Sequence, residues 1–101
     1  GQRMSSYKKI PTSAEVWAVI HARHRGELKV FSSYSAPDGD PHGDPTQGRM
    51  CTTYGFERGD WPVIEARTTW DIERDDSGNA KPTRKNEKHE YWLCAPVQPD
   101  A

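Results

Sequence analysis

Between Val63 and Glu73 apolar and polar positions alternate without a break, with Ile64, Ala66, Thr68, Trp70 and Ile72 on one side and Glu65, Arg67, Thr69, Asp71 and Glu73 on the other. Successive side chains of a strand point to opposite faces, so this period of two predicts a half-buried β-strand. A second period-two run, Met50, Thr52, Tyr54 and Phe56, precedes it, and Arg58-Gly59-Asp60 supplies a turn between the two. Together they predict a β-hairpin. Pro62 has no backbone donor and belongs at the first residue of its strand or on a sheet edge.

Upstream, 16–23 and 28–35 flank His24-Arg25-Gly26-Glu27 and have the β-branched and aromatic content of another hairpin. A helix competes for the first of these segments. Thr12 and Glu15 have capping-box spacing, Gly26 suits the position just past a helix end, and His21, Arg23, His24 and Arg25 would complement the negative pole. Val16, Trp17, Val19 and Ile20 favour the strand, which is the reading adopted. A fifth strand is expected over 87–94, where Tyr91 and Leu93 oppose Trp92 and Cys94, so both of its faces are apolar. The polar stretch 74–86 reads as a loop, with 75–79 as its turn.

The expected fold is therefore mainly β: one antiparallel sheet of about five strands, two hairpins plus a C-terminal strand, with room for one short N-terminal helix. Residues 5–96 form the single domain. Residues 1–4, ahead of or at a plausible initiator Met4, read as disordered or expression-derived, and 97–101 as a flexible tail.

Composition narrows this picture. A chain of 101 residues holds one core, and eight Gly with eight Pro imply short segments and generous turns. Four Trp, four Tyr and two Phe are too many large rings for a disordered chain. Fourteen Lys or Arg against fifteen Asp or Glu leave a formal charge of −1, so no global field draws the chain to nucleic acid or to a membrane. No apolar run is long enough to span a bilayer, and the expected location is cytoplasmic. Cys51 and Cys94 lack CxxC spacing and are expected to be reduced and packed; paired strands that set them side by side would make a disulfide geometrically possible, but a cytoplasmic protein would keep it open.

Few residues point to chemistry. Asp38, Asp40 and Asp44 share the loop 37–45 and could turn inward on a hard cation, but the twelfth position of an EF-hand register holds Arg49 where a glutamate is needed. Successive turns explain the loop more simply, and no metal or other cofactor is expected. His21, His24, His42 and His89 have no metal-site spacing, and neither cysteine has a nucleophile signature around it. Lys81, Arg84, Lys85 and Lys88, beside Tyr91 and Trp92, could grip a single nucleic-acid strand by charge and stacking. Asp75, Asp76, Glu87 and Glu90 flank that cluster and cancel much of its field, which makes a solvated loop the simpler account.

The aromatic excess points further than any motif. So many rings on so thin a sheet cannot all be buried, and Trp, Tyr and Arg dominate binding hot spots. The expectation is a non-enzymatic protein-binding module that uses an exposed sheet face or edge, also open to homodimerisation, with Arg58, Trp61, Arg67, Tyr91 and Trp92 as its contact residues. Motif-free β domains of this length are common among phage and mobile-element accessory proteins, anti-CRISPR-like inhibitors among them, which act by occluding a larger host or defence protein. The alternatives are the single-strand nucleic-acid binder of 81–88 and, behind it, a metal-dependent or thiol enzyme.

Overall fold

A computed structural model describes residues 7–57 and 62–97. The elements run β1 (Tyr7–Thr12), α1 (Ala14–Arg23), β2 (Leu28–Ala36), β3 (Gln47–Phe56), β4 (Pro62–Arg74) and β5 (Ala80–Pro96). All five strands form one antiparallel sheet in the order β1-β5-β4-β3-β2. The chain is mainly β, as the alternation predicts, and Pro62 stands at the first residue of its strand. The β3–β4 hairpin and the C-terminal strand are both present.

The N-terminal hairpin is not. Residues 16–23 are helical, and β2 pairs with β3 instead. Local chemistry explains the helix: the Ser13 hydroxyl accepts from the Val16 N–H at 3.2 Å, Glu15 lies in the first turn, and His21 and Arg23 lie in the last. The cap is thus one residue beyond Thr12. The helix ends at His24, whose N–H donates to Ile20 O, and Gly26 is not left-handed. Trp17, His21 and His24, at spacings of four and three, meet the sheet through Tyr54, Tyr91 and Phe56, which fixes the helix by tertiary packing despite its β-branched residues.

The remaining strand is β1, which pairs Tyr7–Thr12 with the end of β5. The segment 81–88 is a correction as well: it is strand, because β5 continues the β4 hairpin down to a tight turn at Asp75–Asn79. There the Asp75 carboxylate accepts from the N–H groups of Ser77 and Asn79, both at 2.9 Å.

Register defines the two faces. On the face that carries α1, Ile10, Leu93, Ile64, Tyr54 and Val30 form one row and Thr12, Tyr91, Ala66, Thr52 and Ser33 the next, with the helix over the middle of the sheet at Tyr54 and Tyr91. The apolar core is thin: among the described residues the buried apolar side chains are Leu28, Pro62, Ile64, Trp70 and Cys94. Trp70 lies over Gly48, where a Cβ would collide with the indole, and the Arg84 guanidinium caps the ring from 4.1 Å. The extents are 56 × 28 × 21 Å and the radius of gyration is 16.3 Å, above the roughly 13 Å of a compact 100-residue domain. A single layer is what makes the molecule long.

Candidate binding surface

The face turned away from α1 carries Lys9 from β1, Trp92 and Cys94 from β5, Glu65 and Arg67 from β4, and Cys51 and Thr53 from β3. Alternation assigns Glu65 to solvent, yet it is only 3% exposed. Its carboxylate takes the Lys9 ammonium at 3.1 Å and the Arg67 guanidinium at 3.5 Å. Both cations also lie over Trp92, Arg67 at 4.5 Å and Lys9 at 5.2 Å from the ring centre. Their hydrocarbon stems thus close this face where, among the described residues, no helix or strand does.

Beside this cluster the loop 37–46 folds back onto the sheet. The Asp40 carboxylate is the anchor, accepting from the Tyr34 hydroxyl at 2.7 Å, the His42 N–H at 3.0 Å and Arg49 Nη1 at 3.0 Å. The Tyr34 hydrogen bond foremost, then Arg49 and the His42 N–H, hold the Asp40 carboxyl below the usual carboxylate range against the opposing effect of burial. Asp44 caps its own turn, accepting from Thr46 N and Oγ1 at 2.9 and 2.6 Å, while Asp38 contributes its carbonyl to Arg74. The Asp40 and Asp44 carboxylates are thereby engaged by separate protein donors, and among the described residues no group of three His, Cys, Asp or Glu is placed to hold a metal. Arg49, the residue that spoils the calcium register, is the counter-ion of Asp40. An open groove of about 280 Å³ runs between loop and sheet, lined by Asp40, Asp44, Arg49, Arg67, Lys88 and Glu90 among others.

The contact residues expected from sequence are only partly brought together. Arg67 and Trp92 meet on this face. Tyr91 points the other way, under Trp17 at 5.5 Å, while Arg58 and Trp61 lie outside the described residues. Lys9 and Glu65 complete the cluster and were not foreseen, since nothing local in the sequence pairs residue 9 with residue 65. The four basic residues of β5 each have a carboxylate in reach: Lys81 and Lys85 share Glu73 at 3.8 and 3.5 Å, Arg84 meets Glu87 at 3.4 Å and Lys88 meets Glu90 at 3.9 Å.

The cysteines are free and stand on β3 and β5 with β4 between them. Two strand spacings are about 10 Å, beyond disulfide reach. Burial, and then the Glu65 charge, push the Cys94 thiol up to about 11, and the same two causes raise Cys51. Both stay protonated at neutral pH, unlike an activated nucleophile.

The fold and this surface define a class, a single-layered antiparallel β domain with one face covered by a helix and the other by its own long side chains. Protein-family models, curated proteins and solved structures offer no match to the chain. Among the described residues no helix is long and apolar enough to cross a membrane.

Proposed function

We propose that the chain is a non-enzymatic protein-binding module whose contact surface is the face opposite α1, centred on Lys9, Arg67 and Trp92. The observation that carries this reading is that no described helix or strand covers that face, while a tryptophan and an arginine, residue types that dominate hot spots, lie together on it. The adjoining groove carries charges of both signs, which suits a folded protein surface with complementary pairs better than a polyanion. Occlusion of a larger protein, as practised by inhibitors of the anti-CRISPR kind, needs only such a surface and no catalytic group.

The test is a pull-down from the native host with the intact chain beside two folded variants. Trp92→Thr removes the ring but keeps a strand former, and Arg67→Met keeps the stem but removes the charge. A protein retained by the parent and lost with both variants supports the reading. Equal retention by all three, with circular dichroism showing each folded, or retention of nothing by the parent, refutes it.

A further inference from the structure

The groove between the loop 37–46 and the sheet is balanced in formal charge and unbalanced in hydrogen bonding. Its floor is a row across three strands: Arg49 of β3 pairs with Thr69 of β4, and Thr69 with Lys88 of β5. Arg67 and Glu90 form the next row on the same face. Arg49, Arg67 and Lys88 are matched in number by Asp40, Asp44 and Glu90, but the aspartates are turned to their own donors. Asp40, 2% exposed, accepts from Tyr34, the His42 N–H and Arg49, and one oxygen of Asp44 takes both donors of Thr46. Glu90 is held loosely, with the Lys88 ammonium at 3.9 Å.

Donors are in excess on the floor. Arg49 gives Nη1 to Asp40. The carboxylate nearest Arg67 is Glu65 at 3.5 Å, which the Lys9 ammonium already holds at 3.1 Å. Both arginines also keep an enclosed Nε–H with no hydrogen-bond partner among the described residues. Enclosed donors without an acceptor are costly and rare in native proteins, and two of them on neighbouring strands beside one groove mark a place short of acceptors. With side chains 29% and 22% exposed, both arginines still border the groove.

We propose that this groove is a carboxylate-binding site that takes a glutamate or aspartate side chain of the docking protein, an inference that rests on the reading of this face as a contact surface. A carboxylate is a planar acceptor that a guanidinium can meet with two parallel hydrogen bonds, and Thr69 and Lys88 add a hydroxyl and an ammonium beside the arginines. A single negative charge suits a site whose own charges cancel, whereas the second charge of a phosphate would be repelled by Asp44 and Glu90. The groove is open rather than enclosed, so it suits a side chain presented by a second surface better than a free metabolite, whose pocket would bury most of it.

The probe is N-acetylglutamate N-methylamide, a blocked glutamate whose only charge is the side-chain carboxylate. It is titrated into the intact chain at constant ionic strength while the NMR signals of the Arg49 and Arg67 Nε–H groups are followed. Saturable shifts at both, with a dissociation constant of roughly 1–10 mM, are expected, and none with the blocked glutamine. Arg67→Met should weaken binding about tenfold, and Lys88→Met, at an exposed position that does not threaten the fold, about threefold. No shift up to roughly 50 mM, equal shifts with the blocked glutamine, or unchanged binding by both variants would overturn the proposal. So would tighter binding of inorganic phosphate, which would make this a phosphate site, or binding of succinate about tenfold or more tighter, which would point to a free dicarboxylic acid. Retention of a host protein without binding of the blocked glutamate overturns the carboxylate site and spares the protein-binding reading. Binding of the blocked glutamate by a chain that retains no host protein does the reverse.

Discussion

On the face beneath α1, Ile64 is completely buried between Leu93 and Tyr54, with Trp17 of the helix against the rings of Tyr54 and Tyr91. On the other face Glu65, the next residue of the same strand, is nearly as deeply buried, beneath Trp92 and the stems of Lys9 and Arg67. The first cover is apolar, non-directional and indifferent to salt. The second is a set of charges that must satisfy one another, and it lies at a surface where such pairs contribute little unless well desolvated. A cover of that second kind can exchange partners, because a docking protein can offer its own charges and rings in place of water.

Substitutions should rank accordingly. Ile64→Ala is expected to have the largest effect, about 2–5 kcal/mol in urea unfolding, a large share of the stability of so small a domain. A loss under about 1 kcal/mol would show that the helix-covered face is not the core.

Glu65→Gln should cost less, about 1–2 kcal/mol, because Lys9 remains 37% exposed and water shares in its solvation. Its signature is a loss that shrinks as salt is raised, whereas that of Ile64→Ala does not. Equal salt dependence would erase the contrast between the faces.

Next comes acid. The Asp40 carboxyl is held low by Tyr34, Arg49 and the His42 N–H, so its contribution is present above the ordinary carboxylate pKa of about 3.9 and is lost as pH falls through its lower folded value. Hydrogen exchange over residues 38–46 should therefore stay protected from neutral pH down to about 4 and open below it. Asp40→Asn should lose that acid transition. Smallest of all, Lys81→Ala and Lys85→Ala should each shift stability by no more than about 0.5 kcal/mol, because both side chains are exposed and share one glutamate.

What could be read from sequence divides along the same line. β4 announces itself because its apolar positions do face a core, and Asp75–Asn79 because turn chemistry is local. Residues 16–23 misled because β-branched propensity outweighs a single serine cap on paper, while in the fold the spacing of Trp17, His21 and His24 outweighs propensity. β1 was hidden by Lys8, Lys9 and Pro11, residues that suit an edge and discourage the reading of a strand. Of the contact cluster, Trp92 and Arg67 were legible as residue types. Their companions were not, since the Lys9–Glu65 pair spans 56 positions and exists only once the sheet has formed. Arg49 gave a usable signal, a cation standing where a loop of aspartates would want an anion.

The pairing of Tyr7–Thr12 with Tyr91–Pro96 also sets an order of events. The other strand pairs join consecutive strands, so each can zip from a nearby turn, whereas β1 must close a loop spanning almost the whole domain, and long closures form late. During synthesis β1 leaves the ribosome before β2 to β5 and meets its partner only after β5 has emerged. The hairpins from β2 to β5 can therefore assemble with the β5 margin bare, and docking of β1 and α1 would be the final step that completes the fold.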